Sequence, residues 1–268
     1  MNNNNIRFEL SFKNISQLEN KLNFCKLNNI KNINIPCKGL IKKDLFNSTI
    51  KYISKKYNEF NVTYHYSLYH QYSKNKDKSY QDFLDFVKNS HINRNHQILL
   101  VSGSNKKKNF DSVDVLAYLK KEKNLKVKLG IAYNPYLKKY YNISSERERF
   151  ERKISTGLIN SIWFQYGTDI KVLQNELIYI KKIAKNQKLN LFGSLFIPSK
   201  QFIARFKYRP WKEVYISDKF LYALDNFFDF TRDLVSFYKN YNITPVIESD
   251  FSSSEKLDSV YSFLENER

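Results

Sequence analysis

Short apolar or alternating runs recur along the whole chain, each followed by a longer stretch with helical spacing. This regular alternation constrains the fold more than any single motif does. The strand-like runs are Ile6–Phe12, Lys31–Pro36, Phe60–Ser67, Gln97–Ser102, Lys126–Ala132, Ser161–Gln165, Asn190–Phe196 and Ile243–Ile247. Helical patterns fall between them near 16–28, 41–58, 79–90, 111–123, 144–157, 169–187 and 199–241, with a last one near 253–266. The longest of these is expected to break near Pro210, which has no N–H to give. Eight strand–helix units share 268 residues, or about 33 residues each, which is the economy of a parallel barrel. A doubly wound open sheet usually carries a glycine-rich turn after its first strand, and Phe12-Lys13-Asn14-Ile15 contains no glycine. The chain therefore reads as α/β, a single (β/α)8 TIM barrel over residues 1–268, with the Asn-rich residues 1–5 as a disordered start.

Apolar side chains make up 42% of the chain and aromatic ones 16%, enough for one sizeable core. The longest apolar runs, such as Ile98–Val101 and Leu191–Leu195, stop far short of the ~18–20 residues of a membrane helix, so no membrane span is expected. Cys25 and Cys37 are too few for a disulfide framework. The polar start has no apolar signal-peptide core, and the cytoplasm is the expected address. The net charge of +19 comes mostly from lysines spread evenly along the chain, with arginine at only nine positions. Base readout favours arginine concentrated on one element, so specific nucleic-acid binding is not expected. A positive field of this kind instead favours small anionic ligands. His65, His70, His91 and His96 show no HxH or HxxxH spacing and the cysteines no CxxC, so no metal is expected.

In a parallel barrel, function collects at the carboxyl ends of the strands. In the first strand Ile6, Phe8, Leu10 and Phe12 alternate with Arg7, Glu9 and Ser11, which turns Glu9 towards the lumen mouth. A partly desolvated carboxylate there suits general-acid work, although a lumen salt bridge to Arg7 or to a neighbouring lysine would account for it equally. The third strand sets Thr63, His65 and Ser67 on one face, where His65 is either a hydrogen-bonded structural histidine or a ligand-binding group. After the fourth strand, Ser102-Gly103-Ser104-Asn105 and Lys106–Lys108 could receive a phosphate or carboxylate. GxxxxGK[ST], GxGxxG and GxSxG motifs are absent, and Cys37 has no evident activating neighbour. Glu248 and Asp250 are the other strand-end carboxylates, and a hydrolase would need Glu9 and Glu248 at glycosidase spacing.

The stretch Gly130-Ile131-Ala132-Tyr133-Asn134-Pro135, then Glu146, then Arg152-Lys153-Ile154-Ser155-Thr156-Gly157, then Ile162–Asp169 with Gln165 resembles the methylenetetrahydrofolate reductases. The likeness extends more faintly to Phe8-Glu9, to His65, to Val101–Ser104, and to Leu191–Leu195 with the Phe202–Phe206 helix. The resemblance implies a TIM barrel that holds FAD at its strand ends and passes hydride from NAD(P)H through the flavin to methylenetetrahydrofolate. It gives Glu9 the role of general acid on the bridged folate ring. It places His65, Ser102, Gly103, Ser104, Tyr133, Glu146 and Lys153 on flavin-contacting positions and Gln165 on a folate-contacting one. A small-molecule folate would be the partner, with no membrane and no specific nucleic acid. The residues are compatible with a homo-oligomer but do not specify one.

The departures from that family are also specific. Its Arg-Gly-Asp turn is Ser102-Gly103-Ser104 here, Leu137 stands where the family has a histidine, and Ile35-Pro36-Cys37 replaces Val-Thr-Tyr. Lys106–Lys108 and Lys138-Lys139 offer compensating positive charge. Two readings follow: a divergent reductase, or a folate-binding barrel whose flavin chemistry is altered or lost.

Overall fold

The computed structural model describes residues 6–37, 43–73, 75–89, 96–102, 111–122, 127–137 and 143–265. Eight parallel strands follow one another in chain order around a closed barrel: β1 (Arg7–Glu9), β2 (Asn32–Ile35), β3 (Asn61–Ser67), β4 (Gln97–Val101), β5 (Leu129–Tyr133), β6 (Ile159–Phe164), β7 (Asn190–Leu195) and β8 (Ile243–Ile247). The helices are α1 (Ile15–Leu27), α2 (Lys43–Lys56), α3 (Lys76–Asn89), α4 (Ser112–Leu119), α5 (Ile143–Ile154), α6 (Ile170–Ile183), α7 (Lys200–Tyr208), α8 (Asp218–Tyr222), α9 (Leu224–Asn240) and α10 (Ser254–Glu265). This is the (β/α)8 barrel that the alternation implied. The expected helix over 199–241 is three helices, with α7 ending just ahead of Pro210. β1 is shorter than its hydrophobic run, although Leu10 still donates to the Asn34 carbonyl at 2.9 Å. Among the described residues no helix is long and apolar enough to cross a membrane.

By internal contacts the chain divides into two units. The first comprises Arg7–Ala132 with Glu151–Ser161, and the second comprises Tyr133–Phe150 with Ile162 onward. In the first unit the register runs Glu9↔Asn34↔Thr63↔Gln97, and one layer on His65↔Leu99↔Gly130. The alternate positions face the helices: Tyr64 meets Phe46 of α2 edge-on at 6.3 Å, and Tyr66 lies 4.8 Å from both Phe83 and Phe86 of α3. Arg7, Glu9, Asn34, Thr63 and His65 therefore share the inward face. Near the amino ends of the strands this face is polar and cross-linked. Arg7 donates to Asn34 Oδ1 (2.8 Å) and to the carbonyls of Ile33 (2.7 Å) and Asn61 (2.8 Å), and Gln97 donates to Thr63 at 2.8 Å.

His96 opens β4 on the helix side, 1% exposed, with its ring edge-on to Tyr64 at 5.5 Å. Burial lowers its pKa to about 4, against a smaller upward pull from the Phe60 backbone. The unfolded chain, titrating near 6.5, binds this proton more readily, so stability is lost as pH falls through the window between the two values. Replacing His96 with phenylalanine is expected to reduce that acid sensitivity. Measured by urea denaturation, the difference between variant and parent should move in the variant's favour by about 2 kcal/mol between pH 7.5 and pH 4.5.

In the second unit Trp163 of β6 stacks on Phe192 of β7 at 4.0 Å and 16°. Their sequence neighbours point the other way: Phe164 packs edge-on to Tyr133, and Gly193 faces Tyr238 of α9. A methyl group on Gly193 would overlap the Tyr238 ring, which is held in place because its hydroxyl donates to the Ser194 carbonyl at 2.9 Å. Gly193→Ala is therefore expected to cost about 1–3 kcal/mol through overpacking, read as a lowered thermal midpoint.

After β7 the chain builds an aromatic cluster in which Phe202 contacts Phe196, Phe206, Trp211 and Phe227. The N-caps of α4, α6 and α7 (Asp111, Asp169 and Ser199) each accept from the first turn of their helix.

Candidate functional site

β1 ends at Glu9, whose side chain is 4% exposed. His65 stands on β3 with Nδ1 3.8 Å from Glu9 Oε2, and the register puts Glu9 beside Asn34 and sets His65 one layer further along the strands. The polar face read from the first strand is thus real. Its arginine serves Asn34 and two backbone carbonyls, and a histidine on β3 lies near Glu9. A buried carboxylate beside an imidazole can hold a proton and release it to a ligand atom within hydrogen-bond reach.

The remaining first-unit positions are placed differently. Ser102 follows β4, and its hydroxyl donates to Ser112 Oγ (2.9 Å) while accepting from the Ser112 amide (3.0 Å), so it seats the start of α4. Gly103, Ser104 and Lys106–Lys108 lie outside the described residues. Lys153 is buried in the last turn of α5. Both cysteines are free thiols and buried, and burial pushes that of Cys37 up, which argues against nucleophilic use.

In the second unit the side chain of Tyr133 departs from the sequence expectation. Leu129, Ile131 and Tyr133 alternate on the helix-facing side of β5. The Tyr133 ring packs edge-on to Phe150 of α5 at 5.3 Å, and its hydroxyl donates to Glu176 Oε2 of α6 at 2.5 Å. Arg147 forks the same carboxylate (2.6 and 3.1 Å) and lies 4.4 Å above the Tyr179 ring. Burial and the adjacent Glu176 push the Tyr133 hydroxyl far above its usual range. The Tyr133 side chain thus serves the helix layer, where strand alternation turns its ring, and its carbonyl accepts from the Gln165 amide at 2.9 Å.

Glu146 is buried, with Oε1 accepting from the Asn134 amide at 3.3 Å and Oε2 3.8 Å from Arg149. It holds the turn after β5, where Asn134 also accepts from the Tyr136 amide. Gln165 is half-buried and shares the face of Ser161 and Trp163.

The structure therefore brings Glu9 to His65, and Glu146 to the turn that follows Tyr133. Of the seven positions that the resemblance gives to a flavin, Ser102, Tyr133 and Glu146 have their polar side-chain atoms engaged by neighbouring protein groups. As seated, those three side chains turn their polar atoms to protein groups rather than to a flavin's polar edge.

Sequence reasoning missed the Trp163–Phe192 stack and the bond from Ser194 to Glu248 Oε1. The signal was present in the alternation: Phe192 and Ser194 are two residues apart on one face of β7, and Glu248 lies just beyond β8. Among the described residues no three of His, Cys, Asp and Glu gather into a cluster able to hold a metal ion.

No protein-family model matches the chain, and no curated protein is similar to it in sequence. Among solved structures it is similar to an uncharacterized protein from Clostridium thermocellum that binds two copies of 5-methyl-5,6,7,8-tetrahydrofolic acid. The TM-score is 0.62 at 12% identity, covering 97% of this chain and 93% of the other. It is also similar to active domain 2 of a thermostable chitinase from Pyrococcus furiosus, solved with chito-oligosaccharides, at a TM-score of 0.54 and 10% identity over 98% and 97% of the two chains. At these identities the likeness is one of fold, and it bears out the barrel.

Proposed function

We propose that this barrel binds a reduced folate at the carboxyl ends of its strands and serves a reaction of the methylenetetrahydrofolate reductase kind. The observation that carries the reading is the Glu9–His65 pair: a carboxylate at the end of β1, buried, with an imidazole 3.8 Å away, in the position the resemblance gives to the general acid. The 5-methyltetrahydrofolate-binding barrel of similar fold supports the ligand class.

Opening the bridged ring of 5,10-methylenetetrahydrofolate requires a proton on the departing nitrogen. Glu9 supplies it, and His65, one layer along the strands, orients and replenishes the carboxyl group. Gln165, just beyond β6, is the position that the resemblance gives to a folate contact. NAD(P)H is the proposed source of hydride.

A second reading is favoured by Ser102, Tyr133 and Glu146, whose polar atoms serve α4, α6 and the turn after β5. On that reading the chain binds folate but has altered or lost the flavin chemistry.

One experiment tests both. The purified protein is titrated calorimetrically with 5-methyltetrahydrofolate, then incubated anaerobically with NAD(P)H and methylenetetrahydrofolate, with FAD added and without. Binding in the micromolar range with turnover supports the reductase. Binding with no turnover in either condition supports the second reading, and no binding at all removes both.

A further inference from the structure

We propose that the exposed basic and aromatic surface formed by the end of α7, the turn that follows it and α8 docks peripherally on an anionic lipid bilayer. This surface lies wholly within the second unit.

Its charge and its rings come from one short stretch of sequence. Residues 199–212 carry five basic side chains and no acidic one, and residues 199–225 still hold six basic against three acidic. α7 turns Ile203 and Phe206 into the core, which leaves Arg205, Lys207 and Tyr208 on its solvent side. The six residues Lys207-Tyr208-Arg209-Pro210-Trp211-Lys212 are all exposed. Tyr208 is 92% exposed and Tyr222 of α8 78%. Lys207 Nζ stands 4.0 Å from the centre of the Tyr222 ring and joins α8 to the same surface. Trp211 is 40% exposed, its ring packed against Phe196, Phe202 and Phe206. Single exposed aromatics are ordinary. Here three of the seven large apolar side chains exposed among the described residues fall between positions 208 and 222, which makes a patch of them.

The chemistry matches the headgroup layer of a bilayer. Tyrosine and tryptophan favour that layer because the ring is apolar and its tip forms hydrogen bonds. Each lysine or arginine brought to an anionic surface raises partitioning about fivefold. Ile203 and Phe206 are committed to the core, so α7 has no apolar face left to insert. The contact is therefore shallow and reversible, held by charge and aromatic tips, and needs no spanning helix. A single-stranded nucleic acid would match the charge but also requires open ring faces on which bases stack. Lys207 caps one face of Tyr222, and Trp211 rests on three phenylalanines, an arrangement that suits a polar boundary better than a stack of bases.

The chain carries its own reporter. Its two tryptophans are Trp211 and Trp163, and Trp163 is only 6% exposed, so a change of emission on docking reads Trp211. The full chain is mixed with vesicles of phosphatidylcholine alone and with vesicles of phosphatidylcholine and phosphatidylserine in equal parts. Cosedimentation with the anionic vesicles, weakened by added salt and accompanied by a blue shift of the emission, is expected. Lys207→Glu combined with Arg209→Glu is expected to weaken that partitioning at least about 30-fold, the factor for two basic side chains at the surface. The same reversal at Lys51 and Lys55, exposed on α2, is expected to change it less than about threefold, which separates a local surface from the protein's general positive charge. Absence of the parent protein from the anionic vesicle pellet overturns the proposal, and needs no variant to fold. Equal losses in the two double variants, each with native circular dichroism, overturn it as well, as does equal binding to neutral vesicles. Sedimentation with an unshifted emission places the contact elsewhere on the molecule and has the same consequence. Binding of a single-stranded oligonucleotide in place of vesicles, lost in the Lys207→Glu, Arg209→Glu protein, assigns the surface to nucleic acid instead.

Discussion

Replacing Arg7 with methionine is expected to lower the free energy of unfolding by about 3–5 kcal/mol, the cost of leaving three hydrogen-bond acceptors without their buried donor. Arg7 is 7% exposed, and its guanidinium serves three acceptors on two neighbouring strands: Asn34 Oδ1 and the carbonyls of Ile33 and Asn61. Methionine fills similar volume but leaves those oxygens without their donor in a place water reaches poorly, so each lost bond costs its desolvation as well. Lysine restores the charge but not the planar fork, and is expected to recover less than half of the loss. Thermal unfolding should report a fall of roughly 10 °C for Arg7→Met in a chain of this size. A shift below about 2 °C would mean that the three bonds contribute little beyond what solvent provides.

Glu9→Gln should slow the reduction of methylenetetrahydrofolate at least 100-fold while leaving the affinity for 5-methyltetrahydrofolate within about threefold. Glutamine keeps the volume and hydrogen-bonding capacity beside His65 but has no proton to give at neutral pH, so the loss belongs in kcat. Glu9→Asp, which retracts the carboxyl group by one methylene, should retain part of the rate. A kcat for Glu9→Gln within threefold of the parent would assign Glu9 to the architecture of the lumen alone.

Much of the fold was legible because two periods alternate so regularly. All eight strands stand where the apolar runs placed them, and even the weakly patterned Ser161–Gln165 run belongs to a real strand, β6 (Ile159–Phe164). Pro210 ends the long helical pattern for the reason its chemistry gives. Within the site, Glu9 and His65 were legible from period two on their strands, since both faces of a parallel sheet are covered and a charged residue in register on the inner one is conspicuous.

Tyr133 shows the limit of such reading. Its place in a motif suggested a ligand contact, whereas the period of β5 puts it on the helix side, and its hydroxyl belongs to an Arg147–Glu176 pair that only the packing of α5 on α6 creates. No local pattern announces a bond spanning 43 residues. Ser102 is the milder case: a hydroxyl at a strand end reads as a ligand donor until the start of α4 is seen to use it.

The first unit is not contiguous in the chain, since it takes in Glu151–Ser161 as well as Arg7–Ala132. One of its internal bonds runs from the Leu129 amide to Asn160 Oδ1 at 2.9 Å. During synthesis, a polypeptide that has left the ribosome only as far as Ala132 lacks the segment that completes its own half-barrel. The unit therefore becomes complete only once Ser161 has emerged.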